Sequence, residues 1–249
     1  MIWSIDLIAA IALGSFCLMG VCLHLGGFGA RGFERVRLQG GTFFLSSVVM
    51  EAGYALLQPA VRWCQRRAVS PAVLSWLSLA PALAAAGAGA KGYWGVAGWA
   101  LLASALLDVL DGAVARATDQ TSAGGAILDS VLDRYVEFLC FGGVGWFYRE
   151  SPVMTLMVLS ALLGSFMVTY STAKAEALQL TPPRGMMKRS DRLAVMIMGA
   201  GLTPISQMWW EPNGSDRAWP LAIAVGIIAV LANVSAINRF RALHREASP

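Results

Sequence analysis

Between Leu107 and Glu137 the chain reads LDVLDGAVARATDQTSAGGAILDSVLDRYVE. Apolar and small residues dominate, yet Asp108, Asp111, Asp129 and Asp133 punctuate them at regular intervals. At about 100° per residue, Asp108, Asp111, Gly112 and Ala115 fall within one arc of a helix. Gly125, Asp129 and Asp133 recur every four residues and share one face of a second helix. The residues between Arg116 and Gly125 suffice to turn the chain back, so the two acidic faces can meet.

The rest of the chain decides what surrounds those carboxylates. Of 249 residues, 57% are hydrophobic and only 14% charged, against about 45–50% and roughly 25% in soluble domains. The mean hydropathy is +0.60. So few charges cannot coat a soluble surface, which excludes a soluble enzyme and a disordered chain alike. The four cysteines, Cys17, Cys22, Cys64 and Cys140, form no CxxC pair and are expected to be free, buried thiols. His24 and His244 are too far apart in sequence to suggest a zinc or acid–base pair. Tryptophans such as Trp94, Trp99, Trp146, Trp209 and Trp210 fall near the ends of apolar runs, as in an interfacial belt. The small-residue run Ala84–Gly89 suits close helix packing.

A membrane-spanning helix needs about 20 mostly apolar residues. Seven stretches qualify: Leu7–Leu23, Ala68–Ala90, Gly92–Arg116, Gly124–Tyr148, Ser151–Ala173, Leu193–Trp210 and Ala218–Asn238. The first has no basic residue before it, carries Asp6, and has no small-residue cleavage site after it, so it is a retained span rather than a secretory signal. Its expected role is passive anchoring. Gly40–Ala60 is flanked by Arg31, Arg35 and Arg37 on one side and by Arg62, Arg66 and Arg67 on the other. A helix lying in the interface keeps both clusters on one face of the membrane. The expected organisation is an all-α polytopic membrane bundle: residues 1–39 as an extra span with a basic loop, 40–67 as an interfacial amphipathic helix, and 68–249 as a six-span core with a short tail. On this layout thirteen Lys and Arg residues fall on one side and Lys91, Arg149 and Arg217 on the other. The positive-inside rule then puts the N-terminus outside and the acidic stretch at the cytoplasmic face of the cell membrane. The charge of +4 is met by anionic headgroups, and nucleic acid is not needed.

An aspartate at mid-membrane costs about 2.5–3.5 kcal/mol on insertion scales, so four require compensation. Salt bridges to Arg116 or Arg134 could compensate one or two. A cation pathway through a transporter would use all four, but it gives no reason for Gly112, Ala115 and Arg116. Four converging carboxylates also make a hard-oxygen site for Mg²⁺ or Mn²⁺.

The pattern Asp108-x2-Asp111-Gly112-x2-Ala115-Arg116-x8-Gly125-x3-Asp129-x3-Asp133 resembles, at every specified position, the signature of the CDP-alcohol phosphotransferases. The resemblance in layout extends over about residues 60–243. It implies a six-span core preceded by an interfacial helix, and displacement of CMP from CDP-diacylglycerol by an alcohol attacking the β-phosphorus. It also implies that Asp108, Asp111, Asp129 and Asp133 hold two divalent ions, Mg²⁺ or Mn²⁺, with Asp133 also the general base. Asp108, Gly112, Ala115, Arg116 and Gly125 would bind the CDP group, and the enzyme would be a homodimer.

The acceptor is suggested by YSTAKAEALQLTPPRGMMKRSDRL, residues 170–193, which holds Lys174, Arg184, Lys188, Arg189 and Arg192. Lys188 and Arg192 are one helical turn apart and can face one pocket. Such a cluster suits an alcohol that already carries phosphate, though it would also suit lipid headgroups. The stretch resembles the phosphatidylinositol-phosphate synthases within the family, which implies inositol phosphate as acceptor, bound by Lys174, Arg189, Arg192 and Arg239. Lys188, Ser190 and Asp191 depart from that pattern. Glycerol-3-phosphate, the substrate of a phosphatidylglycerophosphate synthase, would satisfy the same charges.

Overall fold

The computed structural model describes residues 2–25, 47–181, 185–210 and 218–248. Arg31, Arg35, Arg37, Pro182, Pro183, Arg184, Arg217 and the first part of the expected interfacial helix lie outside them. The described residues form eight helices: α1 (Ile2–Leu25), α2 (Ser47–Arg66), α3 (Pro71–Ala90), α4 (Trp94–Ala117), α5 (Ala123–Phe147), α6 (Pro152–Ala177), α7 (Arg189–Trp210) and α8 (Trp219–Ala247). The protein is an all-helical, polytopic membrane bundle.

Five helices, α1, α3, α4, α6 and α8, are long and apolar enough to cross a membrane. The charges of α5 and α7, Asp129, Asp133, Arg134 and Glu137 on one and Arg189, Asp191 and Arg192 on the other, lower their apolarity although each is long enough to span. Leu18, Val73, Leu83, Val153, Leu156, Ile223 and Val230 are exposed, an outward apolar belt that only lipid can solvate favourably. The tight core, including Phe141, Val144, Ala161, Leu221, Val225 and Ile228, lies inside the bundle.

Local chemistry sets the helix boundaries. Pro71 opens α3 and Pro152 opens α6, each in the first turn, where its missing N–H costs nothing. Ser122 caps α5 by accepting from the Gly125 amide at 3.1 Å. Between α3 and α4, Gly92 takes φ +83°, a conformation other residues resist. Inside the small-residue run, Ala86 lies so close to Gly143 of α5 that a Cβ on Gly143 would sit 2.7 Å from the Ala86 carbonyl oxygen. Close helix packing is therefore what that run permits.

The first helix is more than an anchor. Asp6 is buried, and its Oδ1 accepts from the Val96 amide at 3.0 Å, capping the start of α4. Trp99 Nε1 donates to the Ala9 carbonyl at 2.8 Å, and Leu13 packs onto Gly98. The cysteines are free as expected, but only Cys64 and Cys140 are buried; Cys17 and Cys22 face outward from α1. At the opposite end of α4, Val61 and Cys64 of α2 pack with Leu110 and Val114, and Gln65 Nε2 donates to Ala117 O at 2.9 Å. Arg62, Arg66 and Arg67 are therefore exposed at the same end of the bundle as the acidic stretch.

Candidate active site

The helices α4 and α5 barely touch, because α3 packs against both. The cleft between them receives Asp108 from α4 and Asp129 and Asp133 from α5. One carboxylate oxygen from each of the three lies within 4.8 Å of the others. Asp111 stands one turn further along α4, buried, where Ser75 of α3 donates to its Oδ2. Gly112 and Ala115 are partly buried beyond it, while Arg116 and Gly125 are exposed at the mouth.

The cation that answers these acids comes from α7. Arg189 Nη1 donates to Asp108 Oδ2 at 2.8 Å, and its Nη2 lies 2.8 Å from Asp133 Oδ1. Arg134 instead donates to the Ser130 carbonyl of its own helix. Arg189 is held at the first residue of α7 by a local device: Asp191 Oδ2 accepts from the Lys188 amide at 2.9 Å, the reach-back half of a capping box. The basic segment is thus the start of a helix where the sequence placed it before the span.

One turn deeper, Glu137 of α5 meets Arg192 of α7, with Glu137 Oε1 at 2.7 Å from Arg192 Nε and 2.6 Å from Nη2. Both are almost fully buried. Since Asp133 and Glu137 are four residues apart and Arg189 and Arg192 three, both pairs fall on facing stripes. Arg239 of α8 donates through Nη1 to Thr172 Oγ1 at 2.8 Å, and Arg192 is near enough for its charge to bear on it. A Cβ on Gly185 would come within 2.7 Å of Arg239 Nη2, so glycine lets the chain cross over that guanidinium. Lys174 is exposed at the end of α6. Ser75, Glu137 and Thr172 are members of the site that the sequence did not single out.

The donor set fits a divalent cation. Its ligands are hard oxygens, and Asp133 Oδ1, although beside Arg189, is buried and accepts no hydrogen bond. The arginine side is short of acceptors: Arg189 Nε, Arg192 Nη1 and Arg239 Nε are buried without a hydrogen-bond partner. Buried donors of this kind are costly unless an anion can reach them.

What such a cleft can handle is a phosphate ester held at a membrane, which places the protein among the integral-membrane enzymes of phospholipid chemistry. Residues 68–236 match the CDP-alcohol phosphatidyltransferase model, and the chain belongs to that family. It is accordingly a transferase, and the cation-transporter reading is set aside. The chain is 29% identical over 197 residues to the phosphatidylinositol phosphate synthase of Cutibacterium acnes, covering 76% of this chain and 95% of that one. With the Mycolicibacterium smegmatis enzyme of the same name it shares 32% over 141 residues, 55% of this chain and 60% of that protein. Among solved structures, Mycobacterium tuberculosis phosphatidylinositol phosphate synthase with CDP-DAG bound superposes with a TM-score of 0.64 at 26% identity, covering 74% of this chain and 90% of that one. The same enzyme with manganese and citrate gives a TM-score of 0.65 at 25% identity, covering 75% and 88%.

Proposed function

We propose that this protein transfers the phosphatidyl group of CDP-diacylglycerol to a hydroxyl of inositol phosphate and releases CMP. The observation that carries the reading is the meeting, in one cleft, of the Asp108–Asp129–Asp133 cluster with arginines whose buried donors lack acceptors. The relatives named above, all phosphatidylinositol phosphate synthases, favour inositol phosphate over glycerol-3-phosphate.

Asp108, Asp111, Asp129 and Asp133 would hold two divalent ions, Mg²⁺ or Mn²⁺, with Ser75 fixing the orientation of Asp111. Such ions supply charge neutralisation for the diphosphate and acidify a nearby hydroxyl. Arg116 binds phosphate oxygens at the mouth, and Asp108, Gly112, Ala115 and Gly125 accommodate the CDP group. An apolar groove of about 490 Å³ between α3 and α5, lined by Trp76, Leu79, Ile127, Leu128, Val131 and Tyr135, suits acyl chains. Lys174, Arg189, Arg192 and Arg239 bind the acceptor's phosphate. Asp133 takes the proton of the attacking hydroxyl as the new O–P bond forms. The P–O bond to CMP breaks, and CMP leaves with the electron pair.

The same proposal includes seven spans, with residues 68–249 as the core, the N-terminus outside, the cleft at the cytoplasmic face of the cell membrane, and a homodimer. The test is CMP release by purified protein in detergent with CDP-diacylglycerol and Mg²⁺, offered inositol-1-phosphate, free inositol, glycerol-3-phosphate, serine or no acceptor. Turnover confined to inositol-1-phosphate is expected. Turnover confined to another alcohol would overturn the assignment of the acceptor, and none with any acceptor in folded protein would overturn the reaction.

A further inference from the structure

Arg189 and a divalent cation have claims on the same carboxylates, those of Asp108 and Asp133. The guanidinium reaches Asp108 Oδ2 and Asp133 Oδ1 at 2.8 Å each. A hard cation such as Mg²⁺ needs carboxylate oxygens at about 2.0–2.1 Å, and a guanidinium charge seated against Asp108 and Asp133 competes with it for both carboxylates. For the cleft to work, the guanidinium has to let go.

It has somewhere to go. Arg189 Nε is buried without a hydrogen-bond partner, and so is Arg192 Nη1 one turn further along α7. The backbone at Arg189 is pinned by the Asp191 cap, so the side chain can swing about a fixed root. An anion lying between Arg189 and Arg192 would give both orphaned donors an acceptor.

We propose that Arg189 is an exchangeable counter-ion that couples the two halves of the site: it neutralises Asp108 and Asp133, and on transferring to the acceptor's phosphate it frees them for the divalent cation. The inference rests on the reading of Asp108, Asp129 and Asp133 as metal ligands. Its consequence is that metal and phosphorylated acceptor tighten each other's binding, because coupling between sites is reciprocal. Without the acceptor, the carboxylates stay partly paired and bind metal weakly, which restrains premature attack on the donor.

The test is Mn²⁺ titration of the full-length protein in detergent, followed by electron paramagnetic resonance, with inositol-1-phosphate, with free inositol and with neither. The variants are Arg189→Gln, Arg66→Gln and Asp129→Asn. In the unmodified protein inositol-1-phosphate should tighten Mn²⁺ binding about tenfold, within the range usual for coupled sites, and free inositol should not. Arg189→Gln should bind Mn²⁺ tightly from the outset and lose the response to inositol-1-phosphate. Arg66→Gln removes an exposed charge at the same end of the bundle and should behave like the unmodified protein. A response to inositol-1-phosphate that persists in Arg189→Gln would overturn the proposal, as would equal tightening by Arg66→Gln, which would mean diffuse charge rather than exchange. Absence of Mn²⁺ binding in the unmodified protein, or binding undiminished in Asp129→Asn, would overturn the metal reading and this proposal together.

Discussion

Asp133 has three neighbours with which its function must be reconciled: Asp108 and Asp129 within the cluster, and Arg189 as its ion-pair partner. Replacing it with Asn keeps the shape and removes both the negative charge and the proton acceptor. CMP release should fall at least about 100-fold, the lower end of what a positioned base contributes, while the protein remains folded by size-exclusion chromatography. Ser75→Ala should be milder: Asp111 stays but loses its orienting donor. A loss of about tenfold in kcat/KM for CDP-diacylglycerol is expected, about 1.4 kcal/mol, near the low end of what a hydrogen bond to a charged group contributes. Glu137→Gln acts differently, since it leaves Arg192 buried without a countercharge. About 3–5 kcal/mol of stability should be lost, visible as a depressed Tm in detergent, and a fully retained Tm would mean Arg192 finds another partner. The four aspartates were legible in the sequence because their spacing lies within two neighbouring helices. Ser75, Glu137 and Thr172 were not, because their partners lie 36, 55 and 67 positions away, and only tertiary packing brings them together.

Helix boundaries carry a second layer of the site. The sequence placed Arg189 in a connecting loop and ended the last span at Asn238, yet α7 begins at Arg189 and α8 runs on to Ala247. Apolarity marks where a helix is in lipid, not where hydrogen bonding stops, so both charged extensions were hidden. Asp191, a departure from the resembled pattern, is what starts α7 by accepting the Lys188 amide. Asp191→Ala should cost about 1 kcal/mol, the usual value of a helix cap, and should raise KM for the acceptor more than it lowers kcat, because Arg189 loses its fixed root. An unchanged KM would show that Arg189 is positioned by its carboxylate partners alone. The first helix makes a similar point from the opposite end of the bundle. Its apolarity was read as an anchor, but Asp6 caps α4 and Trp99 donates back to it, contacts that a count of apolar residues does not foretell.

At the scale of the molecule, charge and chemistry lie at one end. The acidic cleft, the start of α7, the exposed arginines of α2 and the basic end of α8 share it, whereas Lys91 and Arg149 lie in the turns at the other. If the positive-inside rule governs this chain, the charged end is cytoplasmic, where water can receive CMP and supply a phosphorylated acceptor. That orientation can be measured with a chain in which Cys17, Cys22, Cys64 and Cys140 are replaced by serine or alanine and one new cysteine is introduced. Lys91→Cys lies in the exposed turn between α3 and α4, and Ser248→Cys just past the end of α8, also exposed. In intact cells stripped of any outer barrier, a membrane-impermeant maleimide should label Lys91→Cys at once and Ser248→Cys only after permeabilisation. The reverse pattern would put Asp108, Asp129 and Asp133 at the outer face, beyond reach of cytosolic nucleotide. Equal labelling of both from outside would mean an even number of crossings between the two positions. Since α4, α5, α6, α7 and α8 separate them, that outcome would show that one of the charge-bearing helices, α5 or α7, fails to span.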